Sequence, residues 1–397
     1  MSNVAVMKRE QQGWREMLAG IKIIDVDTHL SEPADLWTSR APAALRDRVP
    51  RLVEKDGKAR WVIDVDTSLG GGGPASAILK DGSKVHGFEF VSKTLSEVHE
   101  GAHDVHSRVK YMNQQGVHAQ IVYPNVLGFG GQAAQMVEEG LRSASTQIFN
   151  DAMAEMQVDS GNRIFPMALL PWWDVAKAAA EAERCAKMGL RGVNINSDPH
   201  LHDLPPLGNP YWNPLWDVCE ANALPVNFHI GASDSSMSWF SRGSWPGSTM
   251  DQMLAMSGVM LFIDNLRVLG NILMSRFLEK RPNLKFVSVE SGAGWVPYLL
   301  EALEYMSKES GVKYDIPPSE IFRRQIFACT FFERKNFVET LHQVGVDNVM
   351  FESDFPHPAC LYPDAFEYLE NAIAGMTVVE RRKVFSENAA KLYNIPI

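Results

Sequence analysis

The chain has 397 residues, enough for one large α/β barrel with insertions or for two ordinary domains, and its 45% hydrophobic and 22% charged residues are typical of a soluble globular protein. Its net charge of −10 includes no basic stripe, which argues against nucleic-acid binding. We find no long uncharged apolar run and no apolar signal core, so we predict no membrane span. The four cysteines are far apart, which favours reduced thiols and a cytoplasmic location.

Eight short apolar runs, rich in β-branched and aromatic residues, predict β-strands. They lie at 21–25, 118–124, 164–171, 192–196, 224–230, 284–290, 325–330 and 348–352. Helical patterns separate most of them, at 175–190, 213–223, 293–307 and about 334–343. Strands that alternate with helices indicate a parallel sheet, and eight of them predict an α/β fold of the (β/α)8 TIM-barrel type.

We predict a single domain over 1–397 with two departures from the repeat. The segment at about 30–100 contains RWVIDVDTS, a glycine-rich turn and KVHGFEFV, and predicts a β-rich insertion after the first strand. The segment at about 231–260 is rich in Gly, Ser, Met and Trp and predicts a long loop. Because ten tryptophans and 18 methionines exceed what a barrel needs, we expect a homodimer or a hetero-oligomer with a related chain.

Polar side chains stand at the carboxyl ends of the predicted strands, where the active sites of such barrels lie. Asp27 and His29 share one face of the first strand, His229 ends the fifth, and Asp354 follows the eighth. Taken singly, each is as well explained by a polar strand end, a helix N-cap or a core histidine. Their joint placement predicts a site for a divalent transition metal, with zinc first and iron or manganese as alternatives.

Longer motifs resemble the amidohydrolase superfamily. They are IIDVDTHLSEPADLW, PVNFHIG, RPNLKFVSVESGAGWVPYLLE and VMFESDFPHP. They are similar to the branch that contains aminocarboxymuconate semialdehyde decarboxylase and the resorcylate-type decarboxylases. The resemblance implies a distorted (β/α)8 barrel and supports Asp27, His29, His229 and Asp354 as the metal ligands. The decarboxylases carry a histidine after the sixth strand, where this chain has Glu290, and the difference argues against decarboxylation.

Glu290 has three possible roles: a general base beside Asp354, a ligand of a second metal, or an acceptor that holds its own turn. His103 and His106, in a histidine-rich segment that also contains His99, could complete a second metal site with Glu290. They could equally lie on a solvated helix face. Similar histidine-rich segments are expected in a branch of the superfamily that binds two metals and activates oxygen.

Five further residues are weaker candidates for binding a small-molecule substrate: Tyr123, Asn125, Asn196, Trp295 and His357. The first functional hypothesis is a metal-dependent hydrolase that uses a metal-activated water on a small organic, carboxylated substrate. The alternatives are a non-oxidative decarboxylase of a hydroxylated aromatic or unsaturated acid, a two-metal iron or manganese oxygenase, and an inactive structural partner of an active paralogue.

Overall fold

The computed structural model describes residues 13–55, 57–241 and 243–397. The described residues form twelve β-strands. They are β1 (Ile23–His29), β2 (Arg51–Lys55), β3 (Lys58–Ile63), β4 (Thr67–Gly71), β5 (Val117–Tyr123), β6 (Ile164–Pro166), β7 (Ala168–Leu169), β8 (Val193–Asn194), β9 (Val226–His229), β10 (Phe286–Val289), β11 (Ile326–Thr330) and β12 (Val349–Phe351).

Fourteen α-helices occur in the same part of the chain. They are α1 (Trp14–Met17), α2 (Val105–Gln115), α3 (Glu139–Asp159), α4 (Val175–Met188), α5 (Asn213–Ala221), α6 (Asp234–Met237), α7 (Met250–Met274), α8 (Val296–Glu309), α9 (Pro318–Gln325), α10 (Phe337–Val344), α11 (Ala365–Tyr368), α12 (Glu370–Gly375), α13 (Val378–Arg382) and α14 (Asn388–Leu392).

Nine of the strands form two parallel sheets in chain order. One sheet has the order β1-β5-β6, and the other has the order β7 to β12 without a break in sequence. Only Met167 separates β6 from β7; its N–H donates to Val122 in the first sheet, and the next N–H, from Ala168, donates to Gly192. At the other edge Thr28 forms a parallel bridge with Phe355, just beyond β12. Backbone contacts therefore link the two sheets at both edges.

All eight predicted strands are confirmed, and so are the four predicted helices. Each strand is almost wholly buried, as expected for strands that are covered on both faces. Helix α4 ends where expected, because Gly189 adopts a left-handed conformation with φ of 96°. Strands β2, β3 and β4 form a separate antiparallel sheet within the segment at 30–100.

Two local expectations were wrong. The KVHGFEFV segment contains no strand of the sheet; Gly87–Ser92 forms a 3-10 helix instead. The loop expected over 231–260 ends early, because α7 begins at Met250. Thr249 caps this helix in a capping box with Gln252, each side chain accepting from the other residue's backbone N–H. This capping box was overlooked because the residues around it have a composition typical of loops.

Helix α7 is the one described helix that is long and apolar enough to cross a membrane by length and composition. Its mean hydropathy is 1.4, and 33% of that window is buried inside the molecule. Buried core helices pass the same test. Asn265 attaches α7 to the parallel sheet by donating to the carbonyls of Phe228 and Val289 and to the Ser288 hydroxyl.

Candidate metal centre

Six ionisable side chains converge at the carboxyl ends of the parallel strands. Two come from β1, one ends β9, one follows β10 and two follow β12; they are Asp27, His29, His229, Glu290, Asp354 and His357. Every one of them is buried. The sequence brings them together because parallel strands end at the same edge of a sheet.

The two carboxylates that follow β10 and β12 lie on unusual backbone. Glu290 has a φ of 55° and Asp354 a φ of 61°, in the left-handed region that residues with a Cβ seldom adopt. Hydrogen bonds hold both turns: the Glu290 N–H donates to the Glu352 carboxylate at 3.1 Å, and the Asp354 N–H donates to the Asp27 carbonyl at 2.9 Å. Backbone strain of this kind is concentrated at functional sites.

The ligand atoms of the cluster lie within coordination reach of a common centre. His29 Nε2 is 3.6 Å from Asp27 Oδ1 and 3.7 Å from Asp354 Oδ1. His229 Nε2 is 3.5 Å from Asp27 Oδ1 and 3.3 Å from Glu290 Oε2. One atom each of Asp27, His29, His229 and Glu290 lies within 4.8 Å of the others. These atoms make no hydrogen bonds with one another, and their separations suit atoms arranged around one ion.

A second group of four overlaps the first. It consists of His29, Glu290, Asp354 and His357, again with one atom of each within 4.8 Å. His357 Nδ1 is 3.3 Å from Asp354 Oδ1, and its ring stacks on that of His29 with centroids 3.5 Å apart. The cluster therefore offers three imidazoles and three carboxylates rather than a single set of four.

Hydrogen bonds outside the cluster fix which nitrogen of two histidines faces the centre. His229 Nδ1 lies 2.8 Å from the Ile230 carbonyl, which can only accept, so Nε2 carries the free lone pair. The Asn125 side-chain amide donates to Leu30 and Glu32, which turns its oxygen toward His357 Nε2 at 3.0 Å. His357 therefore donates from Nε2 and directs the lone pair of Nδ1 at the centre.

A buried polar network supports the β1 end of the site. Asp25 accepts from the Ser353 N–H at 2.9 Å and from the Ser353 hydroxyl at 2.6 Å. Arg108, which is fully buried, donates to the His29 carbonyl and to Gln120, and Gln120 donates to Asp25. Burial lowers the pKa of Arg108 to about 10, so the guanidinium stays charged at neutral pH. The network fixes β1 to the turn that carries Asp354.

The protonation of the cluster is strongly perturbed without an ion. Burial, reinforced by neighbouring carboxylates, raises the pKa values of Asp27, Glu290 and Asp354 well above their usual range. Burial likewise lowers the pKa of His29 well below its usual range and that of His357 to about 4. Removal from water disfavours the charged form of each group, and a bound cation is the usual remedy for such a set.

The residues fit a divalent metal by a further observation. Several of their polar atoms are buried without any hydrogen-bond partner: both carboxylate oxygens of Asp27 and of Asp354, both ring nitrogens of His29, and Nε2 of His229. Unpartnered buried polar atoms are rare, and each costs about 1–3 kcal/mol. Mixed imidazole and carboxylate donors suit zinc, manganese, iron and cobalt.

Only some of the other predicted site residues lie at the centre. Asn125 lines the cavity that opens over the cluster. Tyr123 lies beneath the cluster, with its hydroxyl donating to Asn227 at 3.1 Å. Asn196 accepts from the Asp198 N–H, and the Trp295 ring N–H donates to the Ser291 carbonyl at 3.0 Å. None of these last three residues lines the cavity.

The structure does not bring His103 and His106 into the cluster. His106 is exposed on α2, and His103 ends the short 3-10 helix before it. His99 is also accounted for, because its Nδ1 accepts from the Gly101 N–H at 3.0 Å. The additional imidazole comes instead from His357, which the sequence indicated only as a possible substrate contact.

Sequence reasoning missed the walls of the cavity. It is about 390 Å³ in volume, and its floor contains Glu290, Asp354 and His357. Its walls are mainly apolar and come from the 3-10 helix at 87–92, the chain after β9 and helix α7. The one sequence feature that could have indicated these walls is the number of aromatic and aliphatic residues in segments that otherwise have the composition of loops.

Comparison with known proteins identifies the family. A family model described as Amidohydrolase matches residues 24–395. No curated protein gives a significant sequence match to the chain. Solved structures match well beyond chance, although their sequences are only distantly similar.

Three of these structures illustrate the likeness. An amidohydrolase from Mycobacterium avium subsp. paratuberculosis is 21% identical in sequence, with a TM-score of 0.75. The aligned region covers 94% of this chain and 99% of the amidohydrolase. A 5-carboxyvanillate decarboxylase from Sphingomonas paucimobilis is 20% identical, with a TM-score of 0.64, and the aligned region covers 95% of this chain and 100% of the decarboxylase. A dihydroxybenzoic acid decarboxylase from Polaromonas sp. is 18% identical, with a TM-score of 0.56, and the aligned region covers 94% of this chain and 97% of the decarboxylase. Its structure contains manganese and the inhibitor 2-nitroresorcinol.

At such identities the solved structures show the fold alone, that of the TIM-barrel amidohydrolases. The family model covers nearly the whole chain, and the buried ligand cluster lies at the strand ends where that fold carries its chemistry. The chain therefore belongs to the amidohydrolase family and is a metal-dependent enzyme.

Proposed function

We propose that the protein is a hydrolase that holds one divalent transition metal through Asp27, His29, His229 and Asp354. The observation that carries the proposal is that these four buried side chains have facing atoms without a hydrogen-bond partner, with His29 Nε2 3.6 Å from Asp27 and 3.7 Å from Asp354. The group of four whose atoms all lie within 4.8 Å of one another has Glu290 in place of Asp354. When bound, the ion would lower the pKa of a water molecule and polarise the substrate. Zinc, manganese and iron all suit this donor set.

In this proposal Glu290 transfers the proton. Its carboxylate lines the cavity floor beside Asp354, so it can reach both a substrate and a water molecule there. It lies 3.3 Å from His229, which keeps it at the centre of the ligand cluster. Asp354 is the second acidic group on the same floor and is the alternative group for proton transfer.

Non-oxidative decarboxylation is the second candidate. It is supported by the fold shared with the 5-carboxyvanillate and dihydroxybenzoic acid decarboxylases, one of which contains manganese. Glu290 at the sixth-strand position speaks against it, because the decarboxylases that this chain resembles carry a histidine there. Release of carbon dioxide without oxygen consumption would identify this reaction.

Two-metal chemistry with oxygen is the third candidate, and one observation favours it. The second group of possible ligands, His29, Glu290, Asp354 and His357, overlaps the first. Glu290 has two oxygens and could therefore serve two ions. In this case the second site would use His357 in place of His103 and His106.

We also propose that the parallel strands close into a distorted (β/α)8 barrel. Supporting contacts are the change of partner at Met167, between β6 and β7, and the bridge from Thr28 to Phe355. The segment with the antiparallel sheet of β2, β3 and β4 would then be an insertion between the first two barrel strands.

Elemental analysis of protein purified without chelator tests the metal proposal. We expect about one equivalent of a transition metal in the wild type and less than about a tenth in His229→Ala, since loss of a ligand removes most of the affinity. His106→Ala is the matched control and should keep its metal, because His106 is exposed on α2. Wild-type protein without metal, or equal metal in both variants, would refute the proposal.

A further inference from the structure

The floor and the walls of the cavity over the ligand cluster differ in polarity. Its floor holds the three ionisable groups Glu290, Asp354 and His357, while its walls are almost entirely apolar. Its volume of about 390 Å³ lies within the range of small-molecule sites. A ligand that fills it must therefore be polar at one end only.

Five phenylalanines form most of the aromatic wall: Phe88, Phe90, Phe129, Phe240 and Phe262. Phe88 and Phe90 come from the 3-10 helix at 87–92, and Phe129 lies next to the metal ligands, with its ring 4.3 Å from that of His229. Aromatic walls bind flat or bulky apolar bodies by stacking and edge contacts. The aromatic surface begins directly at the cluster, so the apolar part of a ligand lies close to its reacting group.

Helix α7 supplies the facing wall. Leu254, Gly258, Leu261 and Phe262 line the cavity, at positions i, i+4, i+7 and i+8 of one helical face. Gly258 has open space where its Cβ would stand, which leaves room between the two leucines. The apolar character of this face explains part of the high hydropathy of the helix.

No lysine or arginine lines the cavity among residues 13–55, 57–241 and 243–397. The ionisable groups there are the two acids and the one histidine of the floor. A carboxylate or phosphate on the body of a ligand would lose its water and gain no cationic partner, which costs several kcal/mol. The walls thus select against a second anionic group.

We infer that the substrate is an uncharged molecule with a bulky aromatic or branched aliphatic body and one polar reacting group, such as an amide or ester. The inference rests on the proposed hydrolase function and replaces the carboxylated substrate that was expected from the sequence. Water would supply a hydroxyl to the acyl carbon and a proton to the leaving nitrogen or oxygen. Both atoms and electrons balance without an oxidant or reductant.

Binding of an uncharged fluorescent probe tests the inference without relying on turnover. Prodan, a naphthalene ketone whose emission shifts to the blue in apolar sites, is titrated into the protein as purified, and benzanilide and its dicarboxylated counterpart then compete for the site. We expect saturable binding at one site and displacement by benzanilide at a concentration at least about ten-fold lower than by the dicarboxylate, a difference of about 1.4 kcal/mol. Equal or stronger displacement by the dicarboxylate would overturn the inference.

A pair of variants on one helix locates the binding. Leu261→Ala removes a wall contact and should weaken Prodan binding about ten-fold, the usual effect of losing a few methylene contacts in an apolar pocket. Val259→Ala is the matched control, since Val259 lies two positions away on α7 and is 50% exposed outside the cavity. Equal affinity in the two variants would place the probe elsewhere and refute the inference.

The outcome also separates this inference from the proposed function. If Prodan binds as expected but the protein contains no metal, the cavity is correctly assigned and the hydrolase proposal fails. If metal is present and carboxylated compounds are bound or turned over in preference to uncharged ones, the hydrolase proposal stands and the substrate class is wrong.

Discussion

At the scale of single residues, Glu290 separates the candidate reactions most sharply. Its side chain lies 3.3 Å from His229 and lines the cavity floor, while its backbone is held at a φ of 55° by Glu352. The hydrogen bond that holds this backbone runs from the Glu290 N–H to Glu352 and does not involve the Glu290 side chain. The chemistry of Glu290 can therefore be changed without moving it.

We predict that Glu290→Gln keeps the fold and lowers turnover by at least ~100-fold, because glutamine retains the shape of the side chain but cannot accept a proton. Turnover is measured with an uncharged aromatic amide or ester, and the thermal midpoint is recorded in parallel. Glu339→Gln, at an exposed position of α10, is the control and should match the wild type. Normal turnover in Glu290→Gln would leave Glu290 a structural role only.

His357 decides between one and two metal ions. With two ions, His357→Ala should remove about one equivalent and leave the other, because His357 belongs only to the second group of ligands. With one ion held by Asp27, His29, His229 and Asp354, metal content should stay at about one equivalent, since His357 is not among those four ligands. Elemental analysis of this variant, compared with His106→Ala, distinguishes the two cases.

The residues of the buried cluster illustrate what a sequence can predict at this scale. Asp27, His29, His229, Glu290 and Asp354 were all predicted, because strand ends can be located from apolar runs and parallel strands end together. His357 was expected only as a substrate contact, because its place in the cluster depends on the path of the turn after β12 and on the contact with Asn125. The proposed second-metal role of His103 and His106 was misleading. Helical spacing indicates which residues share a face of a helix, but it does not indicate whether that face is turned toward the site or toward solvent.

At the scale of secondary-structure elements, α7 connects the strands to the cavity. Arg267, on this helix, donates to both oxygens of Asp198 at 2.8 and 2.7 Å. Burial alone would raise the pKa of Asp198, but hydrogen bonds from Arg267, Ser233 and Ser235 outweigh it and lower the pKa to about 2. The ion pair thus fastens the helix to the chain beyond β8.

We predict that Arg267→Met lowers the free energy of unfolding by about 2 kcal/mol. Loss of one partner of a buried pair costs about 3–5 kcal/mol, and the partial exposure of Arg267 reduces this value. Thermal unfolding measures the effect. Lys187→Met removes an exposed ion pair with Glu183 and should leave the midpoint unchanged.

The lowered pKa of Asp198 determines how the stability difference between the wild type and Arg267→Met depends on pH. Because the pKa of Asp198 is about 2 in the folded protein and near 3.8 in the unfolded chain, the stabilisation is fully present above pH ~5. It is lost only as the pH falls toward 2. The wild type and Arg267→Met should therefore differ equally at pH 7 and pH 5, and a difference that changes between these values would point to another titrating group.

The elements themselves were predictable to different degrees. The apolar runs of the parallel strands and the alanine-rich pattern of α4 located these elements to within a few residues, because burial and helical spacing determine both patterns. The 3-10 helix at 87–92 and the start of α7 at Met250 were missed. Both present apolar side chains to a cavity rather than to a sheet, so neither shows the periodicity of a strand or of a surface helix.

At the scale of the whole molecule, a large apolar surface remains exposed on α7 and α8. Val259, Tyr298, Tyr305 and Met306 are 50, 70, 62 and 54% exposed. Exposed apolar patches often mark interfaces between subunits. We predict a homodimer or a complex with a related chain, and a light-scattering mass of 44.3 kDa at micromolar concentration would contradict this.

Removal of the metal should also destabilise the whole molecule. Carboxylate and imidazole atoms of the cluster are buried without partners, so a bound ion would satisfy them in the folded state only. At a free metal concentration 1,000 times the dissociation constant, such binding adds about 4 kcal/mol to the free energy of unfolding. We expect a chelator to lower the thermal midpoint of the wild type by several degrees and that of His229→Ala hardly at all.

This burial of unpartnered ligands has a consequence for the protein in its cell. Copies made while the transition metal is scarce would spend more time unfolded and would be open to proteases, whereas loaded copies would persist. The amount of enzyme would then follow the supply of the metal even at a constant rate of synthesis. Measured half-lives of wild type and His229→Ala in metal-replete and metal-starved cells would show whether abundance is set in this way.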